Sequence, residues 1–119
     1  MKERSEFDEQ VSIFDWAEVK QVEIPELQLL NSSLNGVRLS IGAAMKAKRA
    51  GMKAGFPDIF LPVARNGFHG LFIELKKIGG QKASVDQHIW LGWLTDQGYD
   101  CYVCYGAGPA IFTITSYLN

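Results

Sequence analysis

GFPDIFLPVARNGFHGLFIELKK, residues 55–77, decides the fold. Asn66-Gly67 marks a hairpin turn, because both residues tolerate the positive φ that a tight turn between twisted strands demands. On the first arm Ile59, Leu61 and Val63 alternate with Asp58, Phe60 and Pro62. On the second, Leu71, Ile73 and Leu75 alternate with Phe72, Glu74 and Lys76. Successive strand residues face opposite sides, so each arm has one aliphatic face, and the charges collect on the other. A three-residue loop of Arg65, Asn66 and Gly67 sets Asp58 directly opposite Glu74; a two-residue loop shifts that register by one.

Opposed residues on one face have Cβ atoms about 4.5–5.5 Å apart. Two carboxylates there repel, and the sheet loses stability unless something neutralises them. A hard divalent cation does so, since Mg²⁺ is bound through one or two carboxylates with water and phosphate oxygens. Lys76, two residues from Glu74, brings an ammonium to the same space, where it can orient or deprotonate a water or offset charge on a phosphate. A bare ExK is common, and alone it reads as a surface Glu–Lys pair.

The flanks give a mixed α/β order. Residues 5–21 predict a helix, capped by Ser5 with Glu9 near the capping-box position. Its apolar stripe is Phe7, Val11, Phe14 and Val19, widened by Ile13, Trp16 and Ala17. LQLL reads as a short strand or a turn, and NSSLNG as loop. GAAMKAKRA is a short helix ended by Gly51. A further helix runs from Ser84 to Gln97, stopped by Gly98, with Ile89, Trp90, Trp93 and Leu94 as its stripe. DCYVCY is a strand, GAGP a turn, and AIFTITSYL a final helix or strand. The CxxC of Cys101 and Cys104 lies in that strand, where residues three apart face opposite ways, so both are core cysteines and not a metal or redox pair.

The 119 residues suit a single domain, 1–119, and the 47% hydrophobic and 21% charged fractions are those of a globular chain. MKERSEFDEQ has no apolar core for a secretory signal, and no stretch reaches membrane-span length, so a cytoplasmic location is expected. Net charge is −1, but residues 1–26 hold eight acids against three bases, leaving an excess of bases in the rest. Lys46, Lys48, Arg49 and Lys53 form the densest basic stretch, either a solvated face or a phosphate footprint.

Taken together, SEFDEQVSIFDWA, LNGVR, AMKAKRAGMKAGFPDIFLPV, HGLFIELKK and SVDQHIWLGWLTDQGYDCYVCYG resemble the virus-type replication-repair nuclease (VRR-NUC) family of the PD-(D/E)xK superfamily, over roughly residues 5–106. The resemblance implies a restriction-endonuclease-like core, a small mixed sheet flanked by helices. It implies a Mg²⁺- or Mn²⁺-dependent endonuclease that hydrolyses DNA phosphodiesters, leaving 5′-phosphate and 3′-hydroxyl ends. Asp58 and Glu74 would be metal ligands with the Leu75 carbonyl, Lys76 the catalytic lysine and Gln87 the helix glutamine beside them. Glu6 would complete the site, with Glu9 as the other choice. Where family members often carry a PNGG-like loop, this chain has LNGVR, which still offers Arg38 to a phosphate. Lys46, Lys48, Arg49, Lys53 and Lys77 would contact the DNA backbone, which reads shape and not sequence. Branched DNA cut by a homodimer, in the manner of a Holliday-junction resolvase of phage or prophage type, is the expected activity. A non-cleaving DNA-binding module is the alternative, against which the intact Asp58, Glu74 and Lys76 speak.

Overall fold

The computed structural model describes residues 3–35 and 37–119; Met1, Lys2 and Gly36, the last within LNGVR, lie outside the described residues. Helix α1 (Glu6–Lys20) leads through a 3-10 turn (Pro25–Leu29) to a short strand β1 (Asn31–Ser32) and helix α2 (Ile41–Arg49). The hairpin β2 (Ile59–Leu61) and β3 (Leu71–Lys76) follows, then α3 (Val85–Asp96), β4 (Asp100–Tyr105) and α4 (Ala107–Leu118). The sheet order is β1-β2-β3-β4, with β2 antiparallel to both β1 and β3, and β4 parallel to β3. A parallel neighbour needs a crossover, and α3 is that crossover. The mixed sheet flanked by helices is the architecture expected from the resemblance.

Strand β3 is buried on both faces. Leu71, Ile73 and Leu75 join Ile59 and Leu61 against Ile13 and Ala17 of α1 and Ala110, Ile114 and Tyr117 of α4. The Tyr117 hydroxyl donates to the Val63 carbonyl at 2.6 Å, tying α4 to the end of the first arm. The opposite face is aromatic: Phe60 stacks on Phe72 at 4.2 Å, and Phe72 meets Phe56 edge-on at 5.5 Å.

The register holds, but not by the turn expected. Ile59, Phe60 and Leu61 pair with Ile73, Phe72 and Leu71, the alignment that sets Asp58 opposite Glu74. The turn itself has two central residues: Arg65 bridges Phe68 around Asn66 (φ 52°) and Gly67 (φ 86°). The shift this would impose is absorbed by one extra residue on the first arm, where the Val63 N–H folds back to the Leu61 carbonyl at 2.9 Å around Pro62. An inserted residue of this kind is a bulge, and proline fits there because it has no N–H to lose.

Other expectations change with tertiary context. The buried stripe of α1 is Glu9, Ile13 and Ala17, while Phe7, Val11 and Val19 are exposed. Asp8, not Glu9, closes the capping box on Ser5. On α3, Ile89 and Trp93 are exposed. GAGP is not a turn but the start of α4, and the segment left open between helix and strand is helical, its β-branched residues accommodated by packing of Ile114 into the core. Cys101 and Cys104 are free thiols, the second buried and the first partly so. Among the described residues no helix is long and apolar enough to cross a membrane.

The loop between α2 and β2 is pinned at Gly55. Its φ is +87°, and a Cβ there would lie 2.7 Å from the Asp86 backbone carbon at the start of α3. Gly55→Ala therefore meets both a left-handed backbone penalty and a backbone clash, and is expected to destabilise the protein by about 2 kcal/mol or more. A denaturant melt of the variant checks this; an unchanged midpoint would mean the loop moves freely off α3.

Candidate active site

Asp58 stands one residue before β2, and Glu74 and Lys76 stand on β3, all on the aromatic face of the sheet. Both carboxyl groups are buried, Asp58 at 3% exposure and Glu74 at 1%. Asp58 Oδ2 accepts the Leu75 N–H at 2.8 Å, closing the end of the hairpin where ladder pairing has stopped. Extending the register by two pairs, past Asp58 and Glu74, brings Pro57 opposite Leu75. Proline has no N–H to offer, so the ladder cannot supply a donor to the Leu75 carbonyl, which lies on the same strand edge as its N–H. That is the physical use of Pro-Asp here. The proline withholds a donor, and the aspartate takes up the amide left over.

Gln87 joins the hairpin to α3. Its side-chain nitrogen donates to Glu74 Oε1 at 2.6 Å. Its side-chain oxygen accepts from the Ser84 N–H at 2.7 Å and from Lys76 Nζ at 3.0 Å. The first of these closes a capping box in which Ser84 Oγ accepts the Gln87 N–H. One residue thus caps the helix and fixes both a carboxylate and an ammonium. The S-x-x-Q spacing of Ser84 and Gln87 is a sequence signal for this cap.

The remaining oxygen, Glu74 Oε2, is buried with no hydrogen-bond partner. The neighbouring carboxyl of Asp58 is also an acceptor. Two acceptors face to face call for something positive between them, a proton or a cation. Without a cation, burial and then the Asp58 charge push the Glu74 carboxyl up to about 9. Burial raises Asp58 as well, against the Leu75 N–H and Lys76, which favour its charged form.

Glu6, at the first turn of α1, lies within electrostatic reach: burial raises its carboxyl, Asp58 raises it further, and Lys76 opposes both. Glu9 is occupied elsewhere. It is buried, pairs with Arg4 Nε at 3.1 Å, and packs against Gly106 at the start of α4. Among the described residues no three His, Cys, Asp or Glu side chains converge tightly enough to form a metal centre alone. The donors at hand are the two buried carboxylates and a main-chain carbonyl, a set that suits a hard cation completing its shell with water and phosphate oxygen.

Lys46, Lys48, Arg49 and Lys53 are exposed on and just after α2, and Arg38 is exposed before it. Lys77 pairs with Glu3 at 3.0 Å. Sequence reasoning missed one feature beside the site, a pocket walled by Phe56 and Trp90. It gathers residues far apart in the chain and leaves no local pattern.

The comparisons agree on what this chain resembles. The family model for the VRR-NUC domain matches residues 1–108. A solved structure described as a VRR_NUC domain protein superposes with a TM-score of 0.81 at 30% identity, covering 98% of this chain and 90% of that one. No curated protein matches the chain.

Proposed function

Because the chain belongs to the VRR-NUC family, nucleases of the PD-(D/E)xK type, we propose that it is a Mg²⁺- or Mn²⁺-dependent endonuclease that cuts branched DNA. It works as a single domain and a homodimer, in the manner of a Holliday-junction resolvase, in phage or prophage replication and repair in the cytoplasm. The observation that carries the reading is the unpartnered, buried Glu74 Oε2 beside a second buried carboxylate. An arrangement so unfavourable without a cation has a use with one. Asp58, Glu74 and the Leu75 carbonyl hold the ion. When bound, it supplies charge to non-bridging phosphate oxygens and lowers the pKa of a water.

The chain's own groups do the rest. Lys76, held by Gln87, positions the attacking water or takes its proton. Glu6 supplies the further carboxylate at the mouth of the site. Attack on phosphorus leaves 5′-phosphate and 3′-hydroxyl ends. Arg38, Lys46, Lys48, Arg49, Lys53 and Lys77 contact phosphates. Lys77 must leave Glu3 to do so, at little cost for an exposed ion pair. Two symmetric cuts across a junction need two active sites, which a homodimer provides.

The test is to incubate the protein with labelled four-way junction, 5′-flap and linear duplex in Mg²⁺ or Mn²⁺, beside Lys76→Ala. Paired symmetric nicks in the junction, lost in the variant, are expected. Binding without cutting in either metal would instead make it a silent nuclease fold. Gln87→Ala should lower cleavage about 10–100-fold, the usual effect of removing a group that orients metal ligands. A Gln87→Ala rate equal to wild type would mean Lys76 and Glu74 hold their positions unaided.

A further inference from the structure

The loop before β2 folds back on α3, and beside it lies an open pocket of about 310 Å³. That is at the small end of ligand sites, which run from about 300 to 1,000 Å³. Its lining includes Ser33, Asn35, Met52, Lys53, Phe56 and Trp90. The two rings meet edge-on, 5.2 Å between centroids at 76°. Each is braced from behind: Phe56 by Phe72 at 5.5 Å, and Trp90 by Trp93 at 5.3 Å. The polar groups are fixed too. Asn35 donates through its side-chain nitrogen to the Phe56 carbonyl at 3.0 Å, leaving the amide oxygen as an acceptor.

The pocket adjoins the cutting site. Phe56 lies two residues before Asp58, and the Ser33 N–H donates to the Asp58 carbonyl at 2.9 Å. Aromatic faces, a few hydrogen-bonding groups and a lysine at the rim are the chemistry that holds an unpaired base with its phosphate. A base inside a duplex cannot enter, whereas one at a branch or mismatch is already partly unstacked. Building on the nuclease reading, we propose that this pocket takes one unstacked nucleobase from the branch point and so contributes to selection of branched over linear DNA.

A cycle between enzyme and substrate tests it. Binding of a fluorescent four-way junction and a 5′-flap is read by anisotropy, without added metal and again with Ca²⁺, for intact DNA and for DNA made abasic at each branch nucleotide in turn. For wild type, one abasic position is expected to weaken binding about tenfold, the effect of losing one stacked base. For Trp90→Ala the same abasic change should have almost no further effect, and Trp90→Phe should restore the difference. Additive effects, or an abasic site harmless to wild type at every position, would overturn the proposal. So would a Trp90→Ala variant that shifts the sedimentation mass with no coupling to the base, because the pocket would then be a contact between copies. Thermal melts of both variants separate these outcomes from misfolding. The cycle does not depend on cutting. Coupling without cleavage would sink the nuclease reading and leave the pocket, and cleavage without coupling would sink the pocket alone.

Discussion

Glu74→Gln is expected to move stability and activity in opposite directions. The amide is close to isosteric with the carboxylate and can still accept the Gln87 side-chain N–H, now 2.6 Å from Glu74 Oε1. Its nitrogen replaces the unpartnered Oε2 and becomes a donor toward Asp58. The metal-free carboxyl must take up a proton to sit beside Asp58 at neutral pH, which the amide need not do, so the metal-free variant should be more stable than wild type there, and increasingly so toward pH 9. Cleavage should fall at least about a thousandfold, because a bound cation contributes several kcal/mol of transition-state stabilisation and each 1.4 kcal/mol is about tenfold in rate. Melts in EDTA and junction cleavage in Mn²⁺ measure the two. Unchanged cleavage would remove Glu74 from the site. A lower melting point would mean that the carboxyl is satisfied in a way its geometry does not suggest.

Metal-free stability should fall as pH rises from near 5 to 9, a trend opposite to that of an ordinary ion-paired carboxylate. Glu74 has a carboxyl pKa of about 9 in the folded chain against 4.5 as its reference. Between those values the native state binds more protons than the unfolded one, and stability therefore declines with pH by at most about 1.4 kcal/mol per unit. Asp58 is raised as well and acts in the same direction. If a divalent cation takes the proton's place, as proposed, saturating Mg²⁺ should raise the melting temperature most at pH 9 and little at pH 5. Scanning fluorimetry at pH 5, 7 and 9, in EDTA and in Mg²⁺, reads the slope. A melting temperature in EDTA that rises toward pH 9 would sink the expectation, and Glu74→Gln should flatten the curve.

The hairpin was legible because alternation and Asn-Gly are local signals. Both arms and the shared face of Asp58 and Glu74 follow from them, but their direct opposition needs the bulge as well as the turn. The bulge at Pro62 was not, since the sequence shows only that a proline is there. The stripe on α1 misled for a different reason. Apolar spacing does not reveal which partner covers a face, and Glu9 is buried because Arg4 neutralises it. Helix α4 overrode the β propensity of its Ile and Thr residues through packing that only the assembled core provides. Within the site, Asp58, Glu74 and Lys76 stood out as charges on a core hairpin. The tie that Gln87 makes between helix and hairpin depends on α3 docking, which spacing does not encode.

Strand β3 holds core and candidate site on alternate residues: Leu71, Ile73 and Leu75 inward against α1 and α4, and Glu74 and Lys76 on the other face. A single-codon deletion in this run would turn every later side chain over, putting the charges into the aliphatic layer. Insertions or deletions of an odd number of codons here would therefore be expected to unfold the protein and leave no folded, inactive copy behind. Near-isosteric point changes at 58, 74 or 76 would instead leave the alternation of β3 intact. A lineage that lost cutting while keeping the fold would carry its record at those codons.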